Sequence, residues 1–400
     1  MAEAPTRHPR WGHRTSLFQW HQPALYVYGL ILLLTGLITI AEQGLYQDMS
    51  PSGWALSWML MVIYGVPVFL LIYWLDLYER EPLSLLFGAL LWGGVAAVTM
   101  SGIANMGWGL VLTQAAGPEF AARWAPALTA PWTEEILKAS GVILIYLIAR
   151  REIDDVMDGF VYGAVVGLGF AIVEDVFYFM AVFGGQTEGV LFGFFIRVIA
   201  SGLYGHVLYT GLAGMGIAYF VSRHGERSFG NRLAVALGLF VVAVFGHFLW
   251  NSPLLDFFPE PPFEPLDYLQ IMGATAVKGV PLLVFAALMI VLAHRREHRW
   301  LEAALADEVG REGLTAEEWR DLGTTKSRRR AVREAKGRGG PVAARQLKRL
   351  HRQQVNLAMV RTRVDDPEHP DLVRQRAYCA ALREALRSLP GMHRDPVEAS

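Results

Sequence analysis

Residues 159–181 read GFVYGAVVGLGFAIVEDVFYFMA. About 20 apolar residues of helix cross the roughly 30 Å hydrocarbon core of a bilayer, so this run reads as a transmembrane span. Gly159, Gly163 and Gly167 recur every fourth position, and Glu174 follows seven residues after the last. On a helix these residues share one face. Small residues at that spacing let membrane helices approach closely, so the stripe aims Glu174 at neighbouring helices rather than at lipid.

The rest of the chain agrees. Over 400 residues, 53% hydrophobic, 18% charged and 12% aromatic content excludes a set of soluble domains. Comparable runs occupy residues 26–41, 54–75, 83–112, 132–149, 190–221, 233–250 and 270–293, which with 159–181 makes eight crossings. The fold expected is all-α: a polytopic transmembrane helical bundle of about eight spans with a basic, partly helical C-terminal tail. Charge divides the chain in the same way. Residues 1–293 hold 13 Lys+Arg against 21 Asp+Glu, and residues 294–400 hold 23 against 16. The single cysteine, Cys379, excludes an internal disulfide framework and a Cys-rich metal site.

Orientation follows from basic residues in short loops. Arg7, Arg10 and Arg14 precede the first span without the apolar core or cleavage site of a signal peptide. Arg150 and Arg151, then Arg223, Arg227 and Arg232, then Arg295, Arg296 and Arg299 fall on the same side if there are eight crossings. Residues 1–25 are therefore expected to be a cytoplasmic N-terminal segment, 26–293 the transmembrane domain and 294–400 a basic cytoplasmic tail. Residues 190–221 are too long for one upright helix at about 1.5 Å per residue, so a break is expected near Ser201-Gly202 or Gly205. Gly102 and Gly107 are expected to fray the third span on its outer side.

Ionisable residues inside spans cost about 2.5–3.5 kcal/mol each on insertion scales, and so are rare and face protein or a wet cavity. Here they cluster: Glu134, Glu135 and Lys138 in the fourth span, Glu174 and Asp175 in the fifth, Arg197 and His206 in the sixth, His247 in the seventh and Lys278 in the eighth. With the expected topology, Glu134, Glu135, Glu174, His247 and, after its break, His206 reach one layer in the outer half of the membrane. Each also has a bland reading. Glu134 and Glu135 suit a helix N-terminus, Lys278 suits a snorkelling or structural lysine, Asp175 suits the outer interface as well as the interior, Arg197 suits a structural counter-ion, and a lone histidine suits packing. Two imidazoles sharing a layer with three carboxylates are harder to dismiss.

Several routes to peptide cleavage are absent: the chain has no His-Glu-x-x-His pair, no Gly-x-Ser-x-Gly elbow and no pair of intramembrane aspartates in separate spans. What remains suits water activation. A carboxylate in apolar surroundings can take a proton from water, while imidazole and the Asn251 amide, one turn after His247, can donate to an oxyanion. The same set can instead hold a divalent metal through His206, His247 and carboxylates such as Glu174, leaving a position for water. Spacing does not choose between them.

Thr133-Glu134-Glu135-Ile136-Leu137-Lys138 resembles the Glu-Glu-x-x-Lys motif of the PrsW family of intramembrane proteases. Asp158 to Gly163, Gly167 to Ala171, then Glu174-Asp175 and Tyr178 resemble its second motif, with Asp175 where the family usually has Asn. Arg197 with Gly205-His206 resembles the third motif, and Phe245-Gly246-His247 with Trp250-Asn251 the fourth. Asp76 to Pro82 is similar to the acidic Glu-x-Glu-Pro loop. The family is distantly similar to CAAX prenyl endopeptidases and bacteriocin-processing proteins. The resemblance implies a multi-pass endopeptidase of the bacterial plasma membrane, cutting membrane-anchored proteins such as anti-sigma factors. It implies catalytic roles for Glu134, Glu135, His206 and His247, supported by Glu174 and Asn251, with Lys138 and Arg197 beside them. Members are often called metalloproteases, which makes zinc the metal to expect, while others in the wider group are argued to be metal-free glutamate proteases.

The tail has capping-box spacing at Thr315 and Glu318, helical patterns at 342–351 and 372–389, and a break at 337–341. Its densest basic run is Lys326, Arg328, Arg329, Arg330, Arg333, Lys336 and Arg338. A solvated extension near anionic lipid is expected; nucleic acid has no aromatic interleaving or fold motif behind it. Two rivals to the protease differ in class. A proton-coupled transporter would use the same buried Glu/His cluster as a relay, and a scaffold would survive loss of both Glu134 and Glu135.

Overall fold

The computed structural model describes residues 15–78, 80–200, 205–254, 264–364 and 366–392. It is built of helices, with no strand among the described residues. Near residue 290 the chain divides into two compact units. Arg7, Arg10, Arg14, Ser201, Gly202 and Glu79, each of which carried an expectation above, lie outside the described residues.

The first unit opens with α1 (Pro23–Met49) and α2 (Pro51–Leu75). Both have proline in the first turn, where its missing N–H costs nothing. Ser50 lies between them, and its hydroxyl accepts from Gly53 N at 3.3 Å to start α2. Next come α3 (Leu83–Leu91), a π-helical segment (Trp92–Ala97) and α4 (Val98–Ala116), which together form one long rod, then α5 (Pro118–Ile148). Asp155 and Asp158 form a capping box that starts α6 (Val156–Phe177), with Asp158 Oδ2 accepting from Asp155 N at 2.7 Å. After α7 (Thr187–Phe194) follow α8 (His206–Ser222), α9 (Phe229–Asn251) and α10 (Pro265–Leu305).

Among the described residues, six helices are long and apolar enough to cross a membrane: Pro23–Met49, Pro51–Leu75, Leu83–Ala116, Val156–Val182, Phe229–Asn251 and Pro265–Glu308. This is two fewer than the eight runs read as crossings. The two that fall short have specific reasons: α5 carries Glu134, Glu135 and Lys138 with Pro126 and Pro131 in its interior, and α8 has only 17 residues. The sixth apolar run is divided as expected: α7 and a π turn end at Ala200, and α8 begins after Gly205. Gly102 and Gly107, by contrast, do not fray the third rod, which runs helically to Ala116. Its irregularity lies earlier, at Trp92–Ala97. There a Cβ on Gly93 would stand 1.9 Å from the carbonyl oxygen of Val166, so the two backbones come this close only because position 93 is glycine.

Helix α6 is the centre of this unit. Sixty-one per cent of its most apolar stretch is buried, against 17% for α1 and for α9. Its glycine stripe faces α8 in antiparallel register: Gly159 meets the carbonyl of Gly214, Gly163 that of Thr210 and Gly167 that of His206. Each step of four residues up α6 is a step of four down α8. The register thus fixes His206, the first residue of α8, beside the turn of α6 that leads to Glu174. On α1, Leu30, Leu33, Leu37 and Ile40 are exposed. A soluble protein rarely shows a contiguous apolar face of this kind, and a lipid-facing helix requires one.

In the second unit the tail is a folded helical body rather than a solvated extension. It contains α11 (Ala316–Leu322), α12 (Thr325–Arg363) and α13 (Pro370–Arg387). Thr315 and Glu318 close the expected capping box, with Glu318 N to Thr315 Oγ1 at 3.2 Å and Thr315 N to Glu318 Oε2 at 3.0 Å. The expected break falls inside α12 at Gly339 and Gly340, the latter at φ 72°, a left-handed conformation that glycine adopts without strain. Leu314, Leu322, Leu357, Leu372 and Cys379 are buried, and Arg376 makes a two-pronged ion pair to buried Glu308 with both contacts at 2.7 Å.

His351 is buried in this core, and burial is the main cause that holds its imidazole at about 4. The unfolded chain binds a proton at about 6.5. Between these values the unfolded state carries more protons, so stability is fully present above pH 6.5 and is lost as pH falls toward 4, by on the order of 3 kcal/mol. Hydrogen exchange of α12 in the full chain is expected to accelerate across that window, and His351→Leu is expected to flatten the dependence.

Candidate active site

Four helices of the first unit bring their ionisable side chains to one buried cluster. Helix α5 supplies Glu134, Glu135 and Lys138, all almost completely buried. Helix α6 supplies Glu174 and Asp175, α8 supplies His206, and α9 supplies His247. Glu134 Oε2 lies 3.7 Å from His247 Nε2 and 3.9 Å from His206 Nδ1. His247 Nδ1 stands 2.9 Å from Glu135 Oε1, and His206 Nε2 stands 2.9 Å from Glu174 Oε2.

Lys138 sits in the middle of the cluster. Its ammonium is 2.6 Å from Glu135 Oε1, 3.6 Å from Glu134 Oε2 and 2.9 Å from His206 Nδ1, and it lies 4.2 Å from the centre of the Phe170 ring. An ammonium only donates. His206 Nδ1 therefore accepts from Lys138, which leaves Nε2–H to donate to Glu174. On His247, Nδ1–H donates to Glu135, which turns Nε2 toward Glu134. The stacked ring of Tyr209, 5.0 Å away at an interplanar angle of 11°, holds the His247 ring in that plane.

The two neighbouring glutamates are thus unlike. Glu135 is saturated: it accepts from Lys138, from His247 and, at 3.2 Å, from the hydroxyl of Thr210. Glu134 has one oxygen engaged, Oε1, which accepts from Asn105 Nδ2 at 3.1 Å. Its other oxygen, Oε2, is buried with no hydrogen-bond partner among the described residues and faces both imidazoles.

Around the cluster, Arg197 donates to Glu174 at 2.6 Å and to Asp175 at 2.5 Å, and lies over the ring of Tyr178. Asp175 is buried and turned inward by this bond, so the outer-interface reading of it is corrected. Asn251 reaches the carbonyl of Pro126 on α5 at 3.2 Å and ties α9 to α5. Lys278 donates to the carbonyls of Ser252 at 2.9 Å and Trp250 at 3.4 Å and secures the end of the same helix. Asn105, Tyr209, Thr210 and Phe170 were not singled out as site residues from sequence. Tyr209 and Thr210 follow His206 by three and four residues on one helix face, and Asn105 is a carboxamide in an otherwise apolar stretch; those were the available signals.

Beside the cluster, a cavity of about 450 Å³ lies between α4 and α5, lined by Trp108, Leu112, Leu128, Thr129, Trp132, Thr133 and Ile136. The next residue of α5 after Thr133 is Glu134. The cluster itself does not line this cavity; Thr133 on its wall is linked to Glu134 through Asn105.

The family model of the PrsW family intramembrane metalloproteases matches residues 81–292, which include every residue of this cluster. The chain belongs to the PrsW family. It is therefore a multi-pass membrane protein and a peptidase of the intramembrane class. Among curated proteins and among solved structures, none matches the chain.

The PrsW family description names a metal, and the donor set here fits one. Glu134, His206 and His247 each offer a ligand atom, all within 4.8 Å of one another. Two imidazoles and a carboxylate are a zinc-type donor set, in which an ion would displace Lys138 from His206 Nδ1, the nitrogen that faces Glu134. The unpartnered Oε2 of Glu134 is the atom such an ion would satisfy. In this triplet Glu134 takes the place that the sequence reading gave to Glu174, whose contacts run to Arg197 and to the far nitrogen of His206.

Proposed function

We propose that the chain is an intramembrane endopeptidase that hydrolyses peptide bonds of membrane-anchored protein substrates, with Glu134 at the reacting water. The single observation that carries this assignment is the free, buried Oε2 of Glu134 facing His206 and His247, beside a Glu135 whose oxygens are all engaged. Oε2 is placed to take the proton of a water attacking a peptide carbonyl, and a positioned base of this kind contributes about 10²–10⁴-fold. Glu135 fixes the His247 tautomer through Nδ1, so that Nε2 points into the site. Glu174 does the same for His206 through Nε2, and Arg197 holds Glu174. These are positioning roles.

In the metal-bound alternative, Glu134, His206 and His247 would hold a divalent metal such as zinc, with Glu134 as a ligand rather than as the free base. Bound there, it would polarise the carbonyl and acidify its water. The apolar cavity beside Thr133 supports a substrate that arrives through the bilayer as an apolar segment.

The reading further includes eight crossings, with α5 and α8 as the two polar or short ones, the termini in the cytoplasm and the plasma membrane of a bacterium as the location. An anti-sigma-factor-like protein is the substrate class proposed by family resemblance. On α12, Lys326, Arg329, Arg330, Arg333, Lys336 and Arg338 are exposed, which supports contact with anionic lipid.

The test is cleavage of a single-span, membrane-anchored protein by purified chain in proteoliposomes, with metal content measured on the same sample. Wild type is expected to cut, and His247→Ala is expected to cut at least about 100-fold more slowly. If metal is held as proposed, His247→Ala also lowers the zinc content. Equal cleavage by both proteins would reject the site. Transport driven by a proton gradient with no proteolysis would favour the relay reading instead.

A further inference from the structure

Glu134 can serve as proposed only if its carboxylate is held with one oxygen out of the way and the other toward the imidazoles. Among the described residues, no charged group holds Oε1. The atom that does is Nδ2 of Asn105, on α4, at 3.1 Å. A carboxamide has two chemically different ends, and the wrong end would set oxygen against oxygen. The Thr133 hydroxyl determines which end faces Glu134: it donates to Asn105 Oδ1, which leaves the amide N–H groups for the glutamate. The hydroxyl has one proton, for which the carbonyl oxygens of Thr129 and Ala130 on its own helix, each 3.2 Å from Oγ1, are the competing acceptors.

We propose that Asn105 and Thr133 form a positioning pair for the reaction, a two-link hydrogen-bonded chain that clamps Oε1 of Glu134 and thereby presents Oε2 to His206 and His247. This rests on the assignment of Glu134 as the reacting carboxylate. The chain crosses from α4 to α5, and Thr133 also lines the apolar cavity between those helices. The residue that orients the clamp is therefore on the wall a substrate segment would touch. Asn105 and Thr133 touch no reacting atom in this scheme; they act through Glu134.

A positioning pair has signatures that a merely structural pair lacks. Losing one hydrogen bond to a charged group is expected to slow turnover about 10- to 100-fold. The loss should fall on kcat, with KM changed less than about twofold, because the clamp acts on the carboxylate rather than on ground-state binding. Asn105→Ala and Thr133→Val should each show this, Thr133→Ser should restore the wild-type rate because it keeps the hydroxyl, and the double variant should be no slower than Asn105→Ala alone because the two residues act as one unit.

The experiment uses the full chain in proteoliposomes with a quenched fluorogenic single-span peptide as the probe, wild type against these variants and Glu134→Gln. On the same samples, labelled with ¹³C-glutamate, the infrared carboxylate band lost in Glu134→Gln reports the hydrogen bonding of that side chain without any substrate. The band is expected to move in Asn105→Ala and Thr133→Val and to stay in place in Thr133→Ser. An unmoved band in Asn105→Ala overturns the pair, as does an Asn105→Ala variant that keeps wild-type kcat while Glu134→Gln is dead. If Glu134→Gln itself cleaves normally, the underlying assignment of Glu134 has failed instead.

Discussion

Glu134→Gln is expected to reduce cleavage at least about 10³-fold while leaving the protein folded, and Glu135→Gln is expected to do damage of a different kind. Glutamine is nearly isosteric and keeps an oxygen acceptor, so the Asn105 bond to position 134 survives. What is lost is the basic lone pair at the position of Oε2, and a general base accounts for about 10²–10⁴-fold. Because that oxygen has no hydrogen-bond partner among the described residues and only the longer, 3.6 Å ion pair to Lys138, removing its charge breaks no hydrogen bond. The melting temperature should fall less than for the same change at position 135, whose ion pair to Lys138 is the shorter one. At position 135 the same substitution places an amide where Lys138 at 2.6 Å, His247 at 2.9 Å and Thr210 at 3.2 Å all converge on the two carboxylate oxygens. The lysine loses its closest counter-charge inside the bundle, and the melting temperature should fall together with activity. Paired cleavage and thermal-unfolding measurements separate the two positions. Similar stability losses for both variants, or more than about a tenth of wild-type turnover in Glu134→Gln, would contradict the assignment.

How much of this was legible in advance depends on the kind of signal. The glycine stripe was readable because a helix turns a spacing of four into a face, and that face proved to be the contact surface of α6 with α8. Glu134, Glu135, Glu174, His206 and His247 stand out because charge and imidazole are rare where lipid should be. Asn105, Tyr209 and Thr210 do not stand out, since neutral polar side chains occur in many spans and only geometry shows which of them meets a carboxylate. The central place of Lys138 was half visible. Spacing paired it with Glu134 four residues earlier, whereas the ammonium lies closer to Glu135, three residues earlier, at 2.6 Å against 3.6 Å. Both are neighbours on a helix, and it is His206 and Phe170 on other helices that fix the lysine side chain between them. Asp175 points inward for a similar reason, because Arg197 lies on a different segment. The difference between eight apolar runs and six long apolar helices lies partly at the site: the charges that make α5 chemically interesting are the ones that lower its hydropathy.

Lys138→Met is expected to be the most destabilising single change at the site. The lysine has no exposed surface and neutralises a pocket that holds Glu134 and Glu135, with His206 accepting its third contact. Removing one partner of a buried ionic group leaves the other uncompensated, typically at a cost of 3–5 kcal/mol, roughly a third or more of an ordinary protein's whole stability. Methionine fills most of the volume and can lie on the Phe170 ring, so the cost is electrostatic rather than steric. Lys138→Arg keeps the charge but should not rescue the protein, because a planar guanidinium cannot take the place of a compact ammonium among three acceptors. The decisive variant is the double one. If the cost comes from the stranded carboxylate, Lys138→Met with Glu135→Gln should be more stable than Lys138→Met alone, since the unpaired charge is removed with its partner. It should still be inactive, because His247 faces an amide instead of the carboxylate that fixes its tautomer. A Lys138→Met protein that melts within about 1 °C of wild type, a shift worth roughly 1 kcal/mol or less for a chain of 400 residues, would mean that the lysine is not the counter-charge on which this buried cluster depends.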